Sequence, residues 1–157
     1  MRVADWAVDA GDAVLVTLGL GSCVAIALYD PEARAGGLVH LLLPSPALSR
    51  DRSNPARFPE TAVPLLLAEL AKLGARRERL AARLVGGASM FGAGTGAGAA
   101  VPGMGERNVV AARAALAAAQ VPVTGEDVGQ RHGRSVYLHL ADGRLEVRTV
   151  ARGSLVL

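Results

Sequence analysis

Cysteine, aromatic residues and long apolar runs are all scarce in this chain, and each scarcity excludes a class of protein. A single cysteine among 157 residues cannot build an internal disulfide framework, so a reducing, cytoplasmic location is expected. Aromatic residues make up only 3% of the chain, too few for the stacking platform of a single-stranded nucleic-acid binder. No apolar run approaches the roughly 20 residues of a membrane-spanning helix, so no membrane insertion is expected.

Lysine is also scarce, because 16 of the 17 basic residues are arginine and Lys72 is the exception. The formal net charge is only +3, and the arginines are scattered along the chain. A nucleic-acid interface needs a basic patch or stripe, so no nucleic-acid partner is expected. The length fits one domain with a substantial core. No apolar surface stripe is evident, which favours a monomer.

Short apolar runs rich in β-branched residues alternate with segments rich in glycine or proline, which predicts an α/β protein. The predicted strands are 13–18, 24–29, 37–43, 80–85, 121–128, 135–140 and 144–150. The predicted helices are 59–73 and 105–120, where apolar residues recur every three or four positions. The unit of helix, strand and glycine occurs twice, which hints at two similar halves.

The connecting segments also have distinct compositions. Residues 1–12 are predicted to be a lead-in with some strand character. Residues 44–59 contain four prolines and predict a long loop without regular structure. Residues 89–103 are mostly glycine and alanine and predict a low-complexity loop. The pair Asp142-Gly143 predicts a tight turn between the last two strands.

The only cysteine, Cys23, lies on a glycine-rich turn between two predicted strands, in the segment Thr17–Cys23 (TLGLGSC). Gly19 and Gly21 permit backbone angles and close approaches that a side chain would block. A thiol with the ordinary pKa of ~8.5 is a weak nucleophile at neutral pH and needs a base beside it. If strands 24–29 and 37–43 pair as an antiparallel hairpin, His40 lies beside Cys23.

Thr17 ends the strand before this turn, and its hydroxyl or its backbone carbonyl can orient the ring of His40. The three residues then form the nucleophile, base and orienter of a cysteine hydrolase. The backbone N–H groups of Ser22 and Cys23 are the candidates for an oxyanion hole. A structural interpretation is also open, with a buried cysteine, a core histidine and a strand threonine.

Other motifs point less strongly to a site. The segment 94–99 superficially resembles a dinucleotide fingerprint, but it does not follow a strand directly. His132 is expected in solvent and His139 in a structural role. With one cysteine and three scattered histidines there is no credible zinc spacing, so no metal or cofactor is expected. The segment 105–108 is typical of a helix start, where an arginine or Asn108 can hold the loop at 86–90.

The ordered motifs of the chain resemble the CheD family of bacterial chemotaxis proteins. The resemblance is carried by 17–25 (TLGLGSCVA) and 37–44 (GLVHLLLP). Further blocks occur in family order at 86–91, 105–109, 126–129 and 134–135. Together they extend over most of the chain from residue 13 to residue 150.

The resemblance implies a chemoreceptor glutamine deamidase, which hydrolyses a side-chain amide to glutamate and ammonia through a cysteine thioester. It implies an α/β sandwich of two packed β-sheets with helices outside, similar to the cysteine hydrolase domain of cytotoxic necrotizing factor toxins. Residues 1–157 would form a single CheD-like domain. In it Cys23 would be the nucleophile, His40 the general base and acid, and Thr17 the residue that orients His40.

The resemblance also implies two partners. These are the cytoplasmic helices of chemoreceptors and CheC, a phosphatase of phosphorylated CheY whose complex suppresses deamidation. The chain departs from the family pattern at Gln130, where a second glycine is usual, and in a long glycine-rich loop at 92–103. Two alternatives stay open: a non-catalytic adaptor that binds receptors or a CheC-type phosphatase, and a cysteine hydrolase with another substrate.

Overall fold

The computed structural model describes residues 1–89, 102–150 and 153–157. Within these residues there are nine β-strands: β1 (Trp6–Ala10), β2 (Val14–Leu20), β3 (Val24–Asp30), β4 (Ala35–Leu41), β5 (Ala81–Gly86), β6 (Val123–Val128), β7 (Arg134–His139), β8 (Leu145–Thr149) and β9 (Gly153–Val156). The α-helices are α1 (Pro59–Lys72) and α2 (Met104–Ala118). No helix in these described ranges is both long enough and apolar enough to span a bilayer.

The strands form two sheets, which confirms the predicted α/β sandwich. One sheet has five strands in the order β1-β4-β3-β5-β6, and the other has four in the order β2-β7-β8-β9. Helix α1 contacts β1 and β4, and α2 contacts β3, β5 and β6, so both helices cover the five-stranded sheet. The repeated unit of helix, strand and glycine does not mark two halves, because β5 and β6 are parallel neighbours in one sheet.

Strand β3 lies at the centre of the sandwich and is buried along its whole length. Its side chains at Val24, Ile26 and Leu28 face the helices, and those at Ala25 and Ala27 face the four-stranded sheet. A strand that is covered on both faces must be apolar at every position, which explains the continuous run in the sequence. The chain crosses from one sheet to the other between β2 and β3, at the segment 21–23.

Most predicted elements are present, with shifts at their ends. The strand predicted at 37–43 is β4 and ends at Leu41, because the N–H groups of Leu42 and Leu43 donate to the carbonyl of Arg57 instead of the sheet. The lead-in contains a regular strand, β1, which pairs with β4. Strand β9 was not predicted from the sequence.

The proline-rich segment 44–59 was predicted to lack regular structure, and this is wrong in part. It contains two short 3-10 turns, Pro46–Leu48 and Pro55–Arg57. Each begins after a side chain that caps it, because Ser45 and Asn54 accept hydrogen bonds from the N–H two residues later. Of the predicted loop at 89–103, residues 90–101 lie outside the described residues.

Two glycines, Gly86 and Gly105, let the end of β5 and helix α2 come very close behind the turn at 21–23. A Cβ on Gly105 would collide with the carbonyls of Gly87 and Ala88, and a Cβ on Gly86 would collide with the carbonyl of Cys23. These neighbours are backbone atoms, which cannot move aside as a flexible side chain can. Glycine is therefore required here by contact with other segments.

This close contact predicts that replacing a helix glycine with alanine lowers the free energy of unfolding, although the same change normally raises it. Alanine normally stabilises a helix by about 1 kcal/mol relative to glycine, yet we expect Gly105→Ala to lower the free energy of unfolding by about 1–3 kcal/mol through overpacking. Gly103→Ala, at the start of the same helix with no atom within 4 Å of its Cβ position, is the control and should change it less. Urea denaturation measures both variants, and an unchanged or stabilised Gly105→Ala protein would contradict the expectation.

Candidate active site

Cys23 is half-buried on the turn that crosses between the two sheets. Two backbone hydrogen bonds hold this turn from the side of β5. Ala88 N–H donates to the carbonyl of Gly21, and Gly87 N–H donates to the carbonyl of Cys23, both at 2.8 Å. The sulfur is thus carried by a segment that has little freedom to move relative to the sheet.

The predicted hairpin between the cysteine and the histidine strands is confirmed. Strands β3 and β4 pair antiparallel, and His40 lies directly opposite Ala25. Cys23 comes two residues before Ala25 and packs against the same apolar cluster between the sheets. Cys23, which directly precedes β3, therefore lies on the same face of the sheet as His40, and no hydrogen bond joins the thiol to His40 Nε2 in the described structure.

Thr17 reaches His40 from the opposite sheet. Its Oγ1 lies 2.8 Å from His40 Nδ1, and both side chains are fully buried. The sequence left open whether the hydroxyl or the carbonyl of Thr17 contacts the ring, and in the structure it is the hydroxyl. The same Oγ1 lies 3.4 Å from the carbonyl of Met1. A hydroxyl that donates to that carbonyl accepts from Nδ1–H, which leaves Nε2 as the unprotonated nitrogen.

The other ring nitrogen of His40 is available for proton transfer. His40 Nε2 is buried and has no hydrogen-bond partner within the described residues. Burial lowers the pKa of His40 to about 4, and the positive charge of the N-terminal amine adds to this shift. The imidazole is consequently neutral at physiological pH, in the form that can accept a proton.

Burial acts on the thiol in the opposite direction. It raises the pKa of Cys23, and the backbone N–H of Cys23 itself lowers it in part. At neutral pH the resting site therefore holds a neutral thiol and a neutral imidazole on the same face of the sheet. Such a thiol becomes a nucleophile only if a base takes its proton during the attack.

The two N–H groups predicted as oxyanion donors make no backbone hydrogen bonds within the fold. Among the described residues, the N–H groups of Ser22 and Cys23 donate to no other backbone group. Both lie on the turn that carries the sulfur. This is the placement that a donor to a developing negative charge needs.

Asn108 is a buried residue of the site, whereas the sequence suggested that it contacts the loop at 86–90. Its Nδ2 donates to the carbonyl of Ser22 at 2.9 Å and to the carbonyl of Leu42 at 3.2 Å. The expected contact of this helix with the loop at 86–90 is made by Gly105 instead. A signal existed, because Asn108 lies four residues before Ala112 on the buried face of α2.

Gln130 lies where the family resemblance predicts a second glycine, and its backbone has a conformation that glycine adopts readily. Its φ is 61°, in the left-handed region. Its carbonyl accepts a hydrogen bond of 2.7 Å from the N–H of Ser89. The chain thus keeps the turn without the glycine, and this turn supports the segment just after β5.

The remaining histidines lie in other parts of the structure. His132 is half-buried between β6 and β7. His139 lies on the outer face of the four-stranded sheet, with Nε2 3.6 Å from Glu146, which fits a structural role. Within the described ranges, no three histidine, cysteine or acidic side chains cluster as a metal site would require. The segment 94–99 lies outside the described residues.

The contact between the sheets predicts the effect of removing one hydroxyl. Thr17→Val keeps the shape of the side chain but leaves the buried Nδ1 of His40 without its partner. We expect the free energy of unfolding to fall by about 1–3 kcal/mol, and the alkylation of Cys23 by iodoacetamide at neutral pH to slow about tenfold. Thr17→Ser keeps the hydroxyl and is the control. Alkylation of Thr17→Val at the wild-type rate would show that Thr17 does not orient the base.

Comparison with known proteins agrees with the family resemblance of the sequence motifs. The family model described as "CheD chemotactic sensory transduction" matches residues 42–149. A protein of Caldanaerobacter subterraneus named "Probable chemoreceptor glutamine deamidase CheD" is 40% identical over 151 residues, which are 96% of this chain and 92% of that protein. A protein of the same name from Pyrococcus abyssi is 42% identical over 154 residues, 98% of this chain and 93% of its own.

A third relative, "Probable chemoreceptor glutamine deamidase CheD 2" of Geobacter metallireducens, is 46% identical over 149 residues, 94% of this chain and 91% of its own length. These similarities extend over nearly the whole of both chains, so they include the segment from Thr17 to His40. The family model and the relatives agree with each other and with the sequence motifs. The chain belongs to the CheD family.

Proposed function

We propose that this chain is a chemoreceptor glutamine deamidase, the activity that the names of its relatives state for them. The observation that carries the proposal is the buried 2.8 Å contact between Thr17 Oγ1 and His40 Nδ1. It orients a neutral imidazole on the face of the sheet that also carries Cys23. In this proposal Cys23 is the nucleophile, His40 the general base and acid, and Thr17 the orienting residue.

The first half of the reaction forms a thioester. His40 Nε2 takes the thiol proton while the sulfur of Cys23 attacks the carboxamide carbon of a receptor glutamine. The carbonyl π electrons move to oxygen, and the N–H groups of Ser22 and Cys23 stabilise the oxyanion. The imidazolium then gives its proton to the amide nitrogen, the C–N bond breaks and ammonia leaves.

The second half releases glutamate. His40 takes a proton from a water molecule, and the resulting hydroxide attacks the thioester carbon. The C–S bond breaks, the sulfur recovers the proton from His40, and the carboxylic acid leaves as glutamate. The reaction written this way is a hydrolysis that needs only water, and the described residues of the site supply every proton transfer.

The shape of the turn supports a substrate that is itself a folded protein. Gly19 has no side chain, and no atom lies within 4 Å of the position that a Cβ there would take. The backbone of a helix can therefore approach the turn closely at Gly19, while a glutamine side chain extends towards the sulfur. We therefore propose the cytoplasmic helices of chemoreceptors as the substrate, and a monomer in the cytoplasm as the active form. A CheC-type phosphatase is proposed as a further partner.

Loss of either reacting group should abolish the activity. In Cys23→Ala no thioester can form, and in His40→Ala no base activates the thiol. Incubation with a chemoreceptor cytoplasmic fragment, followed by peptide mass analysis, detects deamidation as a gain of about 1 Da per glutamine, and both variants should show none. His139→Ala, on the outer face of the other sheet, is the control and should keep wild-type activity.

The same experiment separates deamidation from the alternatives. If the wild type and Cys23→Ala give identical spectra while both bind the receptor fragment, the chain is an adaptor. If neither modifies nor binds the fragment while the wild-type thiol is reactive, the substrate is another protein or amide.

The buried histidine also predicts the pH dependence of the activity. Protonated His40 cannot accept the thiol proton, so kcat/KM should fall on the acid side. With a pKa of about 4 for His40, this fall should have its midpoint near pH 4, well below the ~6.5 of an exposed histidine. The unfolded chain binds a proton on this histidine below about pH 6.5, whereas the folded protein binds it only below about pH 4. The free energy of unfolding therefore decreases as the pH falls from about 6.5 to about 4. Circular dichroism at each pH identifies folded samples, and a midpoint between pH 6 and 7 in folded protein would contradict the assignment.

A further inference from the structure

Asn108 of helix α2 hydrogen-bonds the backbone of the cysteine turn from within the core. It is completely buried, and its Nδ2 lies 2.9 Å from the carbonyl oxygen of Ser22 and 3.2 Å from that of Leu42. Both partners are acceptors, so only the NH2 side of the amide can face them. The Oδ1 is buried and has no partner within the described residues, which is destabilising. Packing alone therefore does not explain an asparagine at this position.

The hydrogen bond to Ser22 determines the direction of the next N–H group. The carbonyl of Ser22 and the N–H of Cys23 belong to one trans peptide unit, in which the two bonds point in opposite directions. When Asn108 holds the carbonyl towards α2, the N–H of Cys23 must point away from α2. This N–H is also the group that lowers the pKa of the Cys23 thiol, so it lies on the side of the sulfur.

The other oxyanion donor is oriented in the same manner. The N–H of Ser22 shares its peptide unit with the carbonyl of Gly21, and that carbonyl accepts a hydrogen bond of 2.8 Å from Ala88 N–H. Each donor is thus held by a hydrogen bond on the opposite side of its own peptide unit. One of these bonds comes from the backbone after β5, and the other comes from a side chain that mutation can change.

We infer that Asn108 is a positioning residue for the oxyanion hole, because its hydrogen bond to the Ser22 carbonyl aims the Cys23 N–H at the oxygen of the reacting carboxamide. The inference rests on the proposed function, since an oxyanion forms only when Cys23 attacks an amide. The second bond, to the carbonyl of Leu42, connects the same amide to the chain two residues after His40. Through Asn108, helix α2 therefore fixes the turn at 21–23 and the residue after β4 relative to each other. Preorganised oxyanion donors need such fixed positions.

The test compares two rates in one set of variants. Asn108→Asp has the same shape but cannot donate when ionised, and Asn108→Ala removes the donor if the aspartate variant fails to fold. We expect kcat for deamidation of a chemoreceptor cytoplasmic fragment to fall roughly ten- to a hundredfold, with KM little changed. Alkylation of Cys23 by iodoacetamide forms no oxyanion, so its rate at high pH, where the sulfur is ionised, should stay within about twofold of the wild type.

Asn54→Asp is the matched control. The Nδ2 of Asn54 also donates to a backbone carbonyl, that of Ala4 at 2.8 Å, and its Oδ1 accepts from Ala56 N–H, which an aspartate retains. This control should keep kcat within about twofold of the wild type. A similar loss of kcat in Asn54→Asp would attribute the effect to general destabilisation and overturn the inference.

The outcomes distinguish the inference from the function on which it rests. Wild-type kcat in a folded Asn108 variant would overturn the inference and leave the deamidase intact. Parallel loss of kcat and of alkylation would also overturn it, because Asn108 would then act on the thiol and not on the oxyanion. A wild-type protein that does not deamidate the fragment, and whose spectra match those of Cys23→Ala, would overturn the proposed function and the inference together.

Discussion

The hydrogen bond between Thr17 and His40 joins the two sheets at the point where the chain crosses from one to the other. Thr17 is near the end of β2 in the four-stranded sheet, and His40 is near the end of β4 in the five-stranded sheet. The segment 21–23 connects the sheets between β2 and β3, and β3 is the neighbour of β4. The distance between the sheets therefore determines both the orientation of the imidazole and the position of the sulfur, so a change in the packing of the sandwich would alter the site directly.

Two buried ionic groups away from this site, Arg134 and Asp30, have extensive hydrogen bonds, whereas Arg83 Nε and His139 Nε2 are buried without a hydrogen-bond partner among the described residues. The guanidinium of Arg134 makes a two-pronged ion pair with Asp127 and also donates to the carbonyls of Gly129 and His132. The carboxylate of Asp30 accepts bonds from Arg79 and from three backbone N–H groups, and these bonds hold its pKa at about 2 against the effect of burial. Such groups stabilise loops and sheet ends, and they need no further partner.

Two of the four buried side-chain atoms that lack a hydrogen-bond partner among the described residues lie at the site, His40 Nε2 and Asn108 Oδ1. Each unpaired atom costs about 1–3 kcal/mol, a large part of the stability of a small domain. Native proteins concentrate such local violations where function requires them. In this protein one of these atoms belongs to the proposed base, and the other belongs to the amide that orients the proposed oxyanion donor.

The sequence by itself determined the local elements and the pairing of the two reacting strands. Alternation, apolar runs and turn residues specify β3, β4 and the turn between them, and antiparallel pairing then places His40 beside Cys23. Only the tertiary structure decided which contacts come from distant segments. Asn108 is 86 residues from Ser22, and the choice between the hydroxyl and the carbonyl of Thr17 depends on how the two sheets stack. Periodicity reports which face of an element is buried, but it does not report what that face meets, because the partner is selected by packing across layers.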